Sequence, residues 1–413
     1  MRVLTLTNMY PPHYYGGYEL ICRDVMDRFR ADGHDVRVLT TTMRVPGVSD
    51  EDDATVERTL RFAWRDHVLQ NPSVPRRLLD ERHNHRMLRR ALDAFEPDVV
   101  SVWNMGAMSL GLLEMLRRRR VPVVLNVCDD WLVYGPDLDP WVRLFVHRQA
   151  GVGRAVEMAT RLPCRLPDLT DTTALFISDF TKRRAQSHSP MPLGRTATTW
   201  AGIDERDFPL GTGRAADPWR WRLLGVGRVD VRKGIDVAIR ALALLPATAT
   251  LTWVGAGDEA ERARLDALAE ELGVRDRVRW DVRRREELPA VYRAADVFVF
   301  PSTWAEPLGL VPIEAMACGL PVVASGTGGS GEFLIDRNTA LVPQPVGDHR
   351  AFADAINELA ADAALRQDLI AGGARVAREL TIARLAETLD AWHQAAAGGF
   401  ASGEPPRREL QIA

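Results

Sequence analysis

Two α/β domains, each a parallel sheet wound with helices on both faces, are the fold that this sequence predicts. At 413 residues the chain is longer than one hydrophobic core usually organises, so two domains of roughly 150 to 200 residues are expected. Short β-rich runs alternate with amphipathic helical stretches from end to end, which is the pattern of doubly wound sheets. A loose segment rich in Gly, Pro and Asp, from Gly202 to Pro218, separates two such series.

The first series predicts five strands joined by helices. A stripe of apolar residues marks one helix, and Glu96-Pro97 ends it before the next strand. The stripe consists of Leu88, Ala91, Leu92 and Phe95. The predicted strands lie near residues 2–8, 35–41, 98–103, 121–127 and 174–178.

The second series opens with a fresh strand after the loose segment. Its predicted strands lie near residues 222–227, 249–254, 277–280, 296–300, 321–324 and 340–342. After about residue 347 the pattern is helical, and the last fourteen residues have the composition of a tail. The expected boundaries are 1–205 for the first domain, 206–385 for the second, and 386–413 for a C-terminal helix and tail.

Composition narrows the classes of partner. A formal net charge of -3 gives no bulk attraction to nucleic acid. The N-terminal run has the pattern of a strand rather than a signal peptide, and no run of about 18 apolar residues appears. Four widely spaced cysteines without a Cys-x-x-Cys pair favour neither a zinc site nor a disulfide framework. We therefore expect a cytoplasmic protein.

The first candidate site is the strand end and loop from Gly225 to Gly234. Two glycines let the backbone approach a phosphate closely, the next helix offers N–H groups, and Arg228 and Lys233 supply positive charge. Only one other lysine occurs among the 53 basic residues, which suggests that Lys233 is kept for its chemistry. A dinucleotide fingerprint would need a third glycine where Asp230 stands, which disfavours a nicotinamide site. The loop therefore predicts a diphosphate site, with a polar turn of solvated cations as the alternative.

The second candidate site carries two carboxylates, Glu306 and Glu314, separated by seven residues. Pro312 has no N–H to lose in a first helical turn, so a helix beginning near Leu310 leaves Glu306 in the preceding loop. Residues 307–310 then lie between the carboxylates at a positive helix end. A sugar hydroxyl and a ribose would satisfy both carboxylates. The alternatives are decoration of the helix start and a hydrolase acid/base pair.

Two glycine-rich loops offer less specific signals. Residues 325–332 follow a predicted strand and are expected to open a helix, although flexible linkers have a similar composition. After the first strand, Gly16 and Gly17 precede a helix and would meet a phosphate at the helix N-terminus. A simple N-cap turn is the alternative there.

These motifs together resemble the large retaining glycosyltransferase family called family 4, whose fold is named GT-B. The resemblance covers most of the chain, and its most specific part is the run from Asp296 to Glu332, which contains the family's Glu-x7-Glu signature. It also includes Gly16–Glu19, Gly33–Val36, Gly202–Asp204 with Phe208, Gly225–Arg228 with Lys233–Gly234, and Val254–Gly257. It implies two Rossmann-like domains facing a deep cleft, with the C-terminal helices packing back toward the first domain.

The resemblance also implies roles for single residues. Arg228 and Lys233 would bind the donor diphosphate, Glu314 the ribose, and Glu306 the hydroxyls of the transferred sugar. Arg228, Lys233 and Glu306 are accordingly the catalytic candidates. The donor-binding set is completed by Gly16, Gly17, Gly227, Val282, Pro307, Leu308, Gly309 and Leu310.

In such enzymes the acceptor hydroxyl attacks on the face from which the nucleotide leaves, and a phosphate oxygen of the leaving group takes its proton. Cations and helix N-termini stabilise the charge on the departing diphosphate, so we expect neither a metal nor a cofactor. The expected substrates are a nucleoside diphosphate sugar, most often UDP-linked, and a hydroxyl of a small molecule, a glycan or a lipid-linked acceptor.

One position departs from the family's pattern. Many relatives carry a histidine followed by aspartate after the strand at 121–127, where this sequence has Cys128, Asp129 and Asp130. A thiol cannot replace an imidazole as a hydrogen-bond donor to the sugar. These three residues and Asn104 are our candidates for contacts to the sugar or acceptor. The alternative is that the aspartates only order the turn.

Two further motifs have plainer explanations beside the functional ones. Asp137-Leu138-Asp139 matches the Asp-x-Asp that binds manganese in single-domain glycosyltransferases, but flanking prolines favour a turn. Arginine runs at 117–120 and 76–90 would suit an anionic membrane or acidic acceptor, whereas solvated helix faces are the commoner reason for them. A peripheral position at an inner membrane face is therefore an alternative to a free cytoplasmic one.

Two other functional classes stay open at this point. A nucleotide-sugar binder without activity is motivated by Cys128, and a nicotinamide oxidoreductase is disfavoured by Asp230. The identity of the acceptor is not encoded in a recognisable motif, because loops of variable sequence line that half of the fold. We expect residues 43–95 and 129–170 to form its walls.

Overall fold

A computed structural model describes residues 1–49, 53–65, 68–146, 150–211 and 218–412. These residues form two compact units: Met1–Trp200 with Leu385–Arg408, and Ala201–Arg384 with the residues from Glu409 onward. Each unit contains one parallel sheet with helices, so the predicted α/β fold is confirmed. Residues 212–217 of the predicted interdomain segment and the final residue of the tail lie outside the described residues, as do 50–52, 66, 67 and 147–149 of the expected acceptor walls.

The first unit holds nine strands. They are β1 (Arg2–Leu6), β2 (Asp35–Thr41), β3 (Val56–Leu60), β4 (Trp64–Arg65), β5 (Val68–Leu69), β6 (Val99–Val102), β7 (Val123–Val127), β8 (Leu169–Phe176) and β9 (Leu193–Thr198). Seven of them form a sheet in the order β3-β2-β1-β6-β7-β8-β9. All its neighbours are parallel, and β4 and β5 form a separate antiparallel pair.

The second unit has a smaller sheet of five parallel strands. They are β10 (Arg222–Val226), β11 (Thr250–Val254), β12 (Val278–Asp281), β13 (Val297–Phe300) and β14 (Val322–Ala324), in the order β12-β11-β10-β13-β14. Close packing holds its centre, because a Cβ on Gly225 would lie 2.2 Å from the ring of Trp253 on the adjacent strand.

Helices connect the strands in both units. In the first unit they are α1 (Gly17–Ala31), α2 (Val74–Phe95), α3 (Gly111–Arg118), α4 (Trp131–Leu138), α5 (Arg143–Val146), α6 (Ala150–Thr160) and α7 (Asp179–His188). In the second they are α8 (Ile235–Leu242), α9 (Glu259–Glu271), α10 (Leu288–Ala294), α11 (Leu310–Ala317), α12 (His349–Ala361) and α13 (Ala363–Glu379).

The last helix, α14 (Ile382–Ala397), returns to the first unit. Its fully buried His393 meets the ring of Phe29 on α1 edge-on at 5.5 Å. Burial lowers the pKa of His393 to about 4, so the imidazole is neutral in this packed position. Within the described residues, no helix combines the length and the apolar character that crossing a membrane requires.

Several predictions of local structure need correction. Strands β3, β4, β5 and β9 were not expected; β4 and β5 form the separate antiparallel pair, and β3 and β9 are the two outermost strands of the seven-stranded sheet. Edge strands bury less surface and carry polar residues, so their hydropathy does not reveal them. The predicted strand at 340–342 was wrong, since Leu341 makes only an isolated bridge to Val323. The loop at 325–332 was expected to open a helix and forms a short 3-10 turn at Gly329–Glu332 instead.

Candidate active site

The centre of the second sheet is a topological switch point. Strand β10 pairs with β11 on one side and with β13 on the other. The chain therefore places β11 and β12 on one side of β10, and then β13 and β14 on the opposite side. In open parallel sheets this divergence opens a crevice at the carboxyl ends of the strands, where ligands bind. The two loops that follow β10 and β13 therefore border this crevice.

A lysine and a glutamate from these two loops are in direct contact. Lys233 Nζ donates a hydrogen bond to Glu306 Oε1 at 2.7 Å, although 73 residues separate them in sequence. Both side chains are largely buried, with exposed fractions of 23% and 9%. Ser302 Oγ donates to the same carboxylate oxygen at 2.8 Å. Two of the three predicted catalytic residues, Lys233 and Glu306, thus meet, and Ser302 joins them.

Glycines make this contact possible by letting backbone segments approach closely. Gly234 has φ of 63°, and a Cβ there would lie 2.1 Å from the carbonyl oxygen of Pro301. Gly328 has φ of 64°, and a Cβ there would lie 2.5 Å from the carbonyl oxygen of Glu306. The next amide, Gly329 N, donates to that oxygen at 2.7 Å. The loops after β10, β13 and β14 are therefore locked together around Glu306.

The two arginines in the loop that follows β10 differ in exposure and in the partners that hold them. Arg228 is exposed. Arg232 is held by Asp230, with Nε to Oδ1 at 2.9 Å and Nη2 to Oδ2 at 2.6 Å, and this bond lowers the pKa of Asp230. Gly227 holds the loop in place, because its carbonyl accepts from Trp253 Nε1 at 2.9 Å. Asp230, the residue that disfavoured a nicotinamide site, thus serves to restrain a neighbouring arginine.

Glu314 belongs to a second buried cluster. It lies in α11 with only 3% of its surface exposed. Tyr292 OH donates to Oε2 at 2.8 Å, and Arg285 Nη1 approaches Oε1 at 3.4 Å. Burial raises the pKa of Glu314, and the Arg285 guanidinium opposes that rise. The Glu314 carboxylate is therefore held between the side chains of Tyr292 and Arg285.

Arg285 itself is anchored from the other side. Its Nε contacts Asp207 Oδ2 at 3.0 Å, and its guanidinium lies 5.1 Å from the ring centroid of Phe208. The ring of Phe208 packs at 6.1 Å against that of Tyr292. Sequence reasoning missed Arg285, Tyr292 and Ser302. Of these only Ser302 carried a signal, because it directly follows a strand end.

Between the two carboxylates, residues 307–310 lead into α11. Gly309 is the N-cap with φ of 89°, and in the described chain no side chain caps this helix start. Leu308 is 1% exposed, so its side chain is part of the packed interior and does not reach a ligand. Val282, at the carboxyl end of β12, is 67% exposed, and its N–H donates to Asp281 at 2.8 Å.

The predicted residues of the first unit lie at the carboxyl ends of its strands. Gly16 is the N-cap of α1, and its N–H donates to Glu19 Oε2 at 3.1 Å. Gly17 is the first residue of that helix. The side-chain oxygen of Asn104 accepts from the N–H of Gly106 at 2.8 Å. Part of the hydrogen-bonding capacity of these groups is therefore used within the loops.

The aspartates after β7 order the start of α4. Asp129 accepts from Trp131 N at 2.9 Å and from Tyr134 OH at 2.8 Å, and burial raises its pKa to about 6. Asp130 is the N-cap and contacts Arg184 Nε at 2.7 Å. Cys128 is partly exposed beside them, and burial raises the pKa of its thiol. These contacts agree with the turn-ordering alternative without testing a role in binding.

The Asp-x-Asp motif is structural. Asp139 is fully buried and accepts backbone hydrogen bonds from Leu110, Trp141 and Val142, each at 2.7 Å. Asp137 lies inside α4. The prediction of a turn was wrong for Asp137 and Leu138, which end the helix, and Asp139 is the C-cap of α4.

Comparisons with known proteins place both halves of the chain. Residues 215–376 match the model named Glycosyl transferases group 1, and residues 16–162 match the Glycosyl transferase 4-like domain. A D-inositol 3-phosphate glycosyltransferase from Xylanimonas cellulosilytica is 41% identical over 218 residues, which are 50% of this chain and 46% of that protein. One from Mycobacteroides abscessus is 42% identical over 139 residues, 32% of this chain and 30% of that protein. The matches thus span less than half the length of these relatives.

Solved structures share the fold over nearly the whole chain. Sucrose-phosphate synthase from Thermosynechococcus elongatus is 23% identical with a TM-score of 0.69, covering 97% of this chain and 100% of that one. The Anabaena protein HepE, solved with UDP and glucose, is 20% identical with a TM-score of 0.66, covering 94% of this chain and 98% of that one.

Proposed function

Since the chain belongs to the glycosyl transferases group 1 family, we propose that it transfers a hexose-like sugar from a nucleoside diphosphate to a hydroxyl group of an acceptor. The observation that carries this proposal is the contact between Lys233 and Glu306 at the switch point of the second sheet. A cation there meets a diphosphate, and a carboxylate beside it accepts hydrogens from sugar hydroxyls.

The proposed course of sugar transfer follows from the positive groups that surround the diphosphate. The bond between the anomeric carbon of the sugar and the diphosphate oxygen breaks, and negative charge develops on the leaving group. Lys233, the exposed Arg228 and the uncapped start of α11 supply positive potential to that charge. The acceptor oxygen bonds to the same carbon, and its proton passes to the departing phosphate oxygen. We propose attack on the face the nucleotide leaves, which retains the anomeric configuration and needs no protein nucleophile or metal.

UDP is our choice of nucleotide, and Glu314 our choice of ribose ligand. An ionised carboxylate accepts hydrogens from the two ribose hydroxyls, and α11 presents Glu314 about one turn from its start. The choice of UDP is supported by the HepE structure, which was solved with UDP and glucose and shares the fold of this chain. A phosphorylated polyol is a supported class of acceptor, because the curated relatives are named for D-inositol 3-phosphate.

The test offers the protein a panel of nucleoside diphosphate sugars and follows release of the free nucleotide by mass spectrometry. We expect slow donor hydrolysis with one nucleotide base preferred, and faster release once a suitable acceptor is added. Saturable UDP binding without any release of nucleotide or transfer of sugar would instead support a non-catalytic nucleotide-sugar binder, the alternative that Cys128 motivates. Binding of NAD in place of UDP would contradict the proposal outright.

The pH dependence of nucleotide binding tests the Glu314 assignment. Substituting Arg285→Gln removes the cation that opposes the raised pKa of Glu314, so that pKa should rise further. As pH falls, Glu314 should lose its charge at a higher pH in the variant than in the wild type, and UDP binding should weaken correspondingly earlier. The measurement is the Kd for UDP across the pH range for both proteins.

The matched control is Arg284→Gln, whose side chain is 78% exposed and pairs with Glu286. It should leave the pH profile unchanged. If the Arg285 variant weakens binding by one constant factor at every pH, Arg285 has only a structural role and the assignment of Glu314 loses this support.

A further inference from the structure

A small cavity lined by both charged and apolar residues lies at the carboxyl ends of the strands in the first unit, apart from all the residues discussed so far as donor ligands. Its volume is about 130 Å³. Arg61 enters it directly after β3, Ser109 comes from the connection after β6, Trp141 follows α4, and the first two turns of α2 complete the wall. Three connections that leave parallel strands thus converge, which is where ligands bind in open sheets.

The rim of the cavity is rich in hydrogen-bond donors. Asp80 accepts from Arg61 Nη1 at 2.6 Å through Oδ1 and from Arg76 Nε at 3.1 Å through Oδ2. One carboxylate therefore fixes two guanidinium groups and neutralises only one of their charges. Each guanidinium has five N–H donors, and the described bonds to Asp80 use one of each. The remaining donors and the surplus charge suit an anion.

A buried guanidinium adds to this positive potential. Arg77 is 8% exposed and also lines the cavity. It donates to the carbonyl oxygens of Pro72 at 2.7 Å and Pro140 at 3.0 Å, and to Asn71 Oδ1. All three acceptors are neutral, and in the described part of the chain no carboxylate lies at salt-bridge distance from it. Its charge is therefore opposed at longer range by Asp139 and not by a described salt bridge.

The floor of the cavity offers an acceptor. Glu81 is 2% exposed, and its Oε1 receives hydrogen bonds from Ser109 Oγ at 2.7 Å and from His85 Nε2 at 2.9 Å. Both described bonds reach the same oxygen, which leaves Oε2 to accept a hydrogen from a ligand hydroxyl. Donors at the rim and an acceptor in the floor are the pattern expected for a group that carries both an anion and a hydroxyl.

We propose that this cavity is an acceptor subsite that takes the anionic group and an adjoining hydroxyl of a polyol or sugar. Its volume equals that of about four liquid waters, which accommodates a phosphate or carboxylate with part of a ring rather than a whole ligand. Arg61 and Arg76 bind the anion, and Glu81 binds the hydroxyl. The proposal rests on the proposed function, because it names the substrate class that receives the sugar.

The experiment measures binding of glucose 6-phosphate, glucuronate, glucose and inorganic phosphate to the whole chain by calorimetry. We expect glucose 6-phosphate or glucuronate to bind more tightly than glucose. Comparison of these two anionic sugars shows whether a phosphate or a carboxylate is preferred. Arg61→Gln and Arg76→Gln should each weaken binding of the preferred anionic sugar by about tenfold. Glu81→Gln should weaken binding of the anionic sugar while leaving inorganic phosphate unaffected.

Arg82→Gln is the matched control, since Arg82 is an exposed arginine of the same helix outside the cavity. UDP affinity, measured on every variant, reports whether the donor unit is intact. Failure of wild-type protein to bind UDP would overturn the proposed function. Three other results, each obtained with a protein that binds UDP, would overturn the acceptor subsite alone. They are equal affinity for neutral and anionic sugars, no binding of any sugar, and unchanged affinity for the anionic sugar in both arginine variants.

Discussion

Replacing Lys233 with alanine should lower kcat/KM for sugar transfer by about 100- to 1,000-fold, the usual cost of removing one preorganised group that stabilises developing charge. In the proposed reaction the ammonium group faces the growing charge of the diphosphate, and Glu306 holds it in this position with a contact of 2.7 Å. Its loss also leaves Glu306, 9% exposed, with Ser302 as its described partner. Steady-state kinetics with the preferred donor make the measurement.

Two further variants separate position from charge. Arg232→Gln removes an adjacent cation that Asp230 holds in place, and its effect should be much smaller. Lys233→Arg keeps the charge but changes its shape, so partial activity is expected. If Arg232→Gln and Lys233→Ala reduced activity equally, the loop would act through its overall charge, and the specific role of Lys233 would be wrong.

Substituting Glu314→Gln should weaken binding of UDP and of the UDP-sugar alike, by about 10- to 100-fold, because hydrogen bonds to an ionised group contribute about 1.5 to 3 kcal/mol. Glu306→Gln should weaken binding of the UDP-sugar and leave UDP itself nearly unaffected, because Glu306 is assigned to the transferred sugar. Calorimetric titration of both ligands with both variants makes the comparison.

The contrast between these two glutamates is the internal control. They belong to the same loop and helix start, and both substitutions remove one negative charge. Equal losses for both ligands in both variants would indicate disruption of α11 rather than separate contacts. Unchanged donor affinity in Glu314→Gln and Lys233→Ala together would refute the donor site as a whole.

The buried strands of both sheets follow from the sequence because their apolar runs are continuous. Strand β2 has the predicted bounds, and β1, β6 and β7 lie within two residues of theirs. The edge strands β3 and β9 escaped prediction because strands with one free edge need not be apolar. Gly194 in β9 is a residue that normally disfavours a strand. The strand requires a glycine at this position, because a Cβ would lie 2.2 Å from the carbonyl oxygen of Thr170.

The site was predictable where chemistry follows a strand end and unpredictable where it depends on packing. Lys233 and Glu306 each follow a strand, and the order of the strands brings them together. Arg285 stands in a run of three arginines that sequence cannot distinguish. Only the fold shows that this one lies between Asp207 and Glu314. The proposed acceptor cavity combines four separate segments, of which the sequence marked only the arginine run at 76–90.

The separation of Lys233 from Glu306 has a consequence for how the protein reaches its working form. The segment between them, whose ends are separated by 73 positions in sequence, includes β11, β12 and β13, so we expect the pair to form only after these strands have assembled on both sides of β10. Closing such distant segments is a slow, late event in folding. We therefore expect capture of a nucleotide at the proposed donor site of newly made chains to report the assembly of β10 to β13, and a ribosome-bound fragment ending before β13 lacks Glu306 of this pair.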